Sequence, residues 1–427
     1  MTIPQRMAEG TVATGVTSTR SVWEGVQRRF QAVPLAARAW DGTLGAREYA
    51  LLLISLGVLL MWLPLANVVS LLVAAALVYA IGESSWSHPR RLTLVALVLC
   101  GVLYAKFTIE QPRTGWARHS IEAFFILRSL DFIRSPHPDA RGLSAADRLG
   151  RFILWIFFLP TLSLGPMTSY GDFYRSYQPA ILNRRQLLFP LLTKIGWGAL
   201  KLFVLNRAAL FLQHNLLLEQ TSQAAGGSLT LLAHFDPRLL VWSVVCLDLI
   251  RFYLLFSGCI DIMLGLSRLL GFHLPENFDK PLFSTSLVRY WKASNISVYR
   301  WLMIHVFFRY WDHHCTTAKV VTTFLASAIW HLAFLRTLSG EGVLQIGLAF
   351  ASFSLAVAAL MRLTRIRGLA RLTYRGHTPW VQGCIGAVKL VCTFSMVALI
   401  HQLFWNGLQG RPLAMTIEVY GRLLMRP

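Results

Sequence analysis

Tyr49–Gly82, YALLLISLGVLLMWLPLANVVSLLVAAALVYAIG, contains no Asp, Glu, Lys, Arg or His. A helix rises about 1.5 Å per residue, so crossing a hydrocarbon core roughly 30 Å thick takes about 20 residues. This run of 82 − 49 + 1 = 34 residues therefore predicts two short or tilted helices, with Pro64 and Asn67 marking the turn between them. Backbone in hydrocarbon finds no water to bond, so an uncharged run of this kind folds as helix. Arg90-Arg91 follow directly, as expected of a hairpin that leaves and rejoins one basic face.

Further apolar runs follow it. Leu92–Phe107 predicts a third span. Ser120–Ile133 mixes Glu122, Arg128 and Asp131 with aromatics, which predicts a helix at the interface or inside the bundle. Ser135-Pro136-His137-Pro138-Asp139 reads as a loop, and Phe152–Leu164 as a short span ended by Gly165-Pro166. In Leu187–Phe211, Lys194, Lys201 and Arg207 fall on roughly one helix face; Gly226-Gly227 opens a loop. Leu239–Phe256 predicts a span in which Asp248 and Arg251 pair across one turn. Ile260–Leu270 is too short to cross and reads as a re-entrant or broken helix. Trp301–Tyr310 predicts a short aromatic helix; Lys319–Leu335, Val343–Leu360 and Val381–Phe404 predict spans. The expected fold is all-α and polytopic, with roughly ten transmembrane helices plus re-entrant and interfacial pieces around a central cavity.

Composition supports this reading. Of 427 residues, 55% are hydrophobic and 14% charged, where soluble domains carry about a quarter charged. The net charge of +21 lies mainly in short connecting segments such as Arg184-Arg185 and Arg362-Arg365-Arg367-Arg371-Arg375. That distribution points to anionic headgroups as partners and not to nucleic acid. Residues 1–47 form a basic N-terminal arm, read as disordered and passing into a surface-lying helix over Val22–Trp40. Its six arginines outnumber Glu9, Glu24 and Asp41, which predicts a cytoplasmic N-terminus. Residues 48–427 form the membrane domain. None of the six cysteines makes a CxxC pair, so they read as packing residues with no disulfide framework.

The chemistry concentrates further on. Leu255–Leu302 reads LFSGCIDIMLGLSRLLGFHLPENFDKPLFSTSLVRYWKASNISVYRWL, and Leu325–Phe334 reads LASAIWHLAF. Asn295 stands in a polar patch, and His331 interrupts an apolar run broken otherwise only by Ser327. A polar side chain at membrane depth is costly and marks a site by default, although a lone histidine in an apolar helix is more often a hydrogen-bonded core residue. Trp311-Asp312-His313-His314-Cys315 invites a metal reading, but adjacent histidines on a helix diverge and no second cluster has ligand spacing, so no metal is expected. No GxSxG, Walker loop or dinucleotide fingerprint occurs.

Several short motifs in order resemble the membrane-bound O-acyltransferase family, most nearly its bacterial branch that acylates cell-surface polymers. They are Phe256-Ser257-Gly258-Cys259-Ile260-Asp261, Gly265-Leu266 with Leu269-Leu270-Gly271-Phe272, Leu274-Pro275-Glu276-Asn277-Phe278, Trp291-Lys292-Ala293-Ser294-Asn295-Ile296-Ser297 and Ala328-Ile329-Trp330-His331. Upstream, Phe158-Leu159-Pro160-Thr161-Leu162 and Gly165-Pro166 extend the match, so the core motifs run over 158–335. The bacterial pattern usually carries His where this chain has Asn295; Asn is common in branches that acylate lipids and proteins.

The resemblance implies an O-acyltransferase with His331 and Asn295 as catalytic residues. Trp291, Lys292, Ser294, Trp330 and Asp261 are read as substrate-binding residues: the two tryptophans as cavity walls, Lys292 as binding an anionic donor or else snorkelling to headgroups, and Asp261 as an acid/base group or else a support of the broken helix. Histidine suits the role of base because its ordinary pKa lies near neutrality. An asparagine amide can steady a developing oxyanion. The implied co-substrate is a thioester, acyl-CoA or an acyl carrier protein, with no permanently bound cofactor. The implied acceptor is a hydroxyl of a surface glycan or polymer, with a lipid or lipidated acceptor as the alternative and a transporter, channel or scaffold as the non-enzyme alternative. The expected location is the cytoplasmic membrane, among its lipids.

Overall fold

The structure is a computed structural model and describes residues 44–109, 120–134, 142–177, 185–224, 236–309, 316–335, 339–363 and 379–424. The expected surface helix Val22–Trp40, the loops at Ser135–Asp139 and Gly226-Gly227, the Trp311–Cys315 segment and the basic stretch from Arg365 lie outside these residues.

Among the described residues the chain is helical, and the only extended pairings are two isolated bridges, Tyr177 with Phe272 and Phe278 with Ser294. The uncharged run becomes α1 (Ala46–Trp62) and α2 (Leu65–Glu83), turning at Leu63-Pro64 as the proline predicts. Next come α3 (His88–Ile109), α4 (Ile121–Arg134), α5 (Ala145–Ile156) and the short α6 (Tyr170–Arg175). The long rod α7 (Arg185–Ala199) runs through a π-helical turn at Leu200–Leu205 into α8 (Asn206–Ala224). It packs on α9 (Pro237–Leu269). Two short helices, α10 (Leu287–Ala293) and α11 (Ile296–Leu302), lead to α12 (Thr316–Leu332), α13 (Gly340–Leu363), α14 (Pro379–Leu408) and α15 (Leu413–Leu424).

Among the described residues, six helical stretches are long and apolar enough to cross a bilayer: α2, α3, the α7–α8 rod, α9, α13 and α14. α1 and α12, each 17 residues, are shorter.

Two sequence expectations need correction. The expected re-entrant or broken helix at Ile260–Leu270 is the last third of α9, which runs unbroken for 33 residues. The segment is too short to cross by itself but continues Leu239–Phe256 without a break, and its charge is met from outside the helix. Asp261 meets Lys201 at 2.6 Å and Lys194 at 3.2 Å from the neighbouring rod. Close helix approach makes this reach feasible: a Cβ built on Gly258 would sit 2.9 Å from the Gly198 carbonyl oxygen, and one on Gly198 2.7 Å from that of Gly258.

The second concerns Phe152–Leu164, which is not one helix ending at Gly165-Pro166. α5 stops at Ile156, and Leu159–Thr161 make a single 3₁₀ turn. Pro160 brings no N–H to continue the ladder. The carbonyls freed by the break are taken by Arg128 of α4, which is buried. It donates to Trp155 O at 3.3 Å, Ile156 O at 2.7 Å, Thr161 O at 2.6 Å and Thr161 Oγ1 at 2.6 Å. α4 is accordingly packed inside the bundle, with both faces covered.

Candidate functional site

Asn295 sits in the two-residue joint, Ser294-Asn295, between α10 and α11. α10 is started by Ser286, whose hydroxyl accepts from Arg289 N at 3.2 Å, and it ends as Ser294 N donates to Tyr290 O at 2.9 Å. The chain then turns through a left-handed residue: Asn295 has φ 49° and ψ 54°. Asn is among the few side chains that adopt this region readily. The joint is clamped from the preceding loop. Ile296 N donates to Asn277 O at 2.9 Å, Ser297 N to Asn277 Oδ1 at 2.8 Å, and Asn277 Nδ2 to Asn295 Oδ1 at 2.8 Å. Ser297 Oγ in turn accepts from Met167 N at 2.8 Å, tying the loop after α5 to the start of α11.

His331 occupies the last turn of α12. Its Nδ1 lies 2.7 Å from the carbonyl oxygen of Ser327, one turn earlier. A carbonyl only accepts, so this bond puts the proton of the neutral ring on Nδ1 and leaves Nε2 as the basic nitrogen. The ring lies among aromatics: Trp330 at 4.7 Å, Phe334 at 5.5 Å, Phe350 of α13 at 4.7 Å and Phe404 of α14 at 5.2 Å. Main-chain anchors hold this helix end. Trp330 Nε1 donates to Ala123 O at 2.7 Å, and Lys106 Nζ donates to Ala333 O at 2.6 Å while facing Glu122 at 3.5 Å. Both anchors are buried.

The elements carrying the two residues pack together. Trp291 of α10 lies against Phe324 of α12 at 4.6 Å, two turns before His331, with Tyr299 of α11 edge-on to it at 5.0 Å. Trp330 belongs to an apolar cluster with Val298, Trp301 and Leu302, and Trp291 packs against the same cluster. Chemically, the arrangement offers a neutral imidazole base, an amide and a water-poor aromatic wall.

The other residues expected at the site divide. Trp291 and Trp330 belong to this wall. Ser294 pairs through its backbone with Phe278, and Lys292 is exposed. Asp261 stands on α9 with its two carboxylate oxygens facing Lys194 and Lys201. Sequence reasoning missed Asn277, although it lay inside the quoted motif, and it missed Lys106, whose partner is 227 positions away. It paired Asp248 with Arg251, which lie 3.8 Å apart, but missed the polar group they join between α8, α9 and α14. There Asp248 accepts from Gln213 at 2.7 Å and Gln402 at 3.1 Å, Arg251 donates to Gln213, and His401 neighbours them on α14. No signal in the local pattern joins Gln213, Gln402 and His401 to that pair.

Comparison with known proteins follows the same stretch. The model of MBOAT, the membrane-bound O-acyltransferase family, matches residues 46–372. Teichoic acid D-alanyltransferase of Streptococcus thermophilus is 31% identical over 173 residues, covering 39% of this chain and 39% of that protein. A probable alginate O-acetylase AlgI of Azotobacter vinelandii is 24% identical over 280 residues, 59% of this chain and 51% of its own length. Teichoic acid D-alanyltransferase of Bacillus subtilis is 28% identical over 172 residues, 38% of each. The chain thus spans about two fifths to a half of the curated relatives it matches.

Proposed function

The chain belongs to the membrane-bound O-acyltransferase family, and from that premise we propose that it moves an acyl group from a thioester to a hydroxyl of a cell-surface polymer. The relatives named for teichoic acid and alginate support a polymer acceptor. The donor in this reading is acyl-CoA or an acyl carrier protein, and the reaction runs in a cavity within the cytoplasmic membrane. Asn295 keeps a lipid acceptor as the second reading, since Asn is common at this motif position in branches acylating lipids.

His331 Nε2 takes the proton of the acceptor hydroxyl as its oxygen attacks the thioester carbonyl carbon. The Asn295 amide steadies the oxyanion that forms. The carbon–sulfur bond then breaks, and the leaving thiolate takes the proton back from Nε2. The observation that carries this reading is the His331 Nδ1–Ser327 bond, which leaves Nε2 as the basic nitrogen inside an aromatic cage. General-base catalysis contributes about 10²–10⁴-fold.

The test is thioester consumption by the purified full chain in detergent, supplied with acetyl-CoA or an acetyl-loaded carrier protein. Adding a teichoic acid, alginate or lipid acceptor ranks acceptors by the rate each elicits. Turnover by the wild type and its loss by roughly 10²–10⁴-fold in His331→Ala, with unfolding temperature kept, is the expected result. Full turnover in the folded variant overturns the assignment.

A further inference from the structure

We infer that Asn277 is a positioning residue that locks Asn295 as a hydrogen-bond donor. The inference rests on the acyl-transfer reading above. It begins with the Ser297 main-chain N–H, which can only donate. Its partner at 2.8 Å must therefore be the oxygen of the Asn277 amide. That fixes the otherwise ambiguous orientation of the amide and turns its NH₂ toward Asn295. The Asn295 atom 2.8 Å away must then be Oδ1. The Asn295 NH₂ is left directed away from the clamp, and nothing among the described residues accepts from it.

The polarity of three groups is thus set from one backbone N–H. Asn277 is 1% exposed, and its own carbonyl accepts from Ile296 N, so the clamp cannot swing without unmaking the joint. The left-handed turn at Asn295 holds the amide at a fixed bearing. In the proposed reaction Asn295 therefore donates to the oxyanion and takes no proton, and His331 alone acts as base.

Asn277→Asp separates polarity from structure. One carboxylate oxygen still accepts from Ser297 N–H, so the joint is kept. The other can only accept from Asn295, whose amide turns over and presents oxygen to the reaction. Wild-type turnover of acetyl thioester tests the acyl-transfer reading itself; its absence with either donor removes that reading and this inference together. Given wild-type turnover, Asn277→Asp at alkaline pH is expected to lower kcat on the order of 10²-fold with KM little changed, as for loss of one oxyanion donor. The deficit narrows as pH falls, because the protonated carboxyl donates to Asn295 as the amide did. A deficit that ignores pH, or an unaltered kcat, overturns the inference. If Asn277→Asp fails to fold, Asn295→Asp gives the same decision from the half-buried side. Loss of kcat on the order of 10²-fold supports donation, and retention shows that an acceptor suffices and overturns it.

Discussion

Asp261→Asn tests whether the charge inside α9 is held by ion pairing. The substitution keeps the volume and removes the negative charge that Lys194 and Lys201 approach. The Asp261 side chain is 13% exposed and Lys201 12%. Removing one partner of a buried pair costs about 3–5 kcal/mol, because the other charge is left uncompensated. Lys194 keeps Glu276 at 2.7 Å, so the loss falls on Lys201. Partial water access lowers the expected cost to roughly 2–3 kcal/mol. The assay is a double-mutant cycle on unfolding midpoints in mixed micelles, with Asp261→Asn, Lys201→Met and the pair. Removing both charges restores much of the stability lost by either, a coupling of about 1–3 kcal/mol. If Asp261→Asn unfolds with the wild type, or if the single losses simply add, ion pairing does not hold α9 to the rod.

Other consequences can be measured the same way. Arg128→Lys gives up the planar fork that serves three carbonyls and a hydroxyl, and should cost about 2–5 kcal/mol in unfolding free energy. Gly258→Ala places a methyl 2.9 Å from the Gly198 carbonyl oxygen and should cost about 1–3 kcal/mol, while an alanine at Gly57, with open space around it, should not. Lys106→Met removes the donor to Ala333 O just beyond His331, so kcat for thioester turnover should fall up to ~10²-fold through misplacement of the base; an unchanged kcat would mean that the helix end is held without it.

The spans were legible because hydrocarbon imposes a local rule: an uncharged run of sufficient length must be helix, and Tyr49–Gly82 obeys it down to the turn at Pro64. Where charge entered a helix the local rule reached only part of the way. Asp248 and Arg251 pair across one turn as read, at 3.8 Å, but Gln213 and Gln402, which also bond them, and the Lys201 that meets Asp261 stand on other helices. The true end of α5 depended on Arg128, at least 27 positions from its carbonyl partners. The site divides along the same line. His331 and Asn295 were legible as polar residues in costly or motif-bearing positions. The Trp291–Phe324 contact that joins their elements, and the Asn277 clamp behind Asn295, are properties of the folded chain.

The length of α9 has a mechanical meaning. At 33 residues it measures roughly 50 Å, against about 30 Å of hydrocarbon. Even tilted by an ordinary 20°, it crosses in about 32 Å, leaving some three turns beyond the oily layer. The loop with the Asn277 clamp begins where this helix ends. In the proposed reaction α9 would set the depth at which the clamp holds Asn295. Removing one turn from its first half would move that clamp by about 5.4 Å along the helix axis.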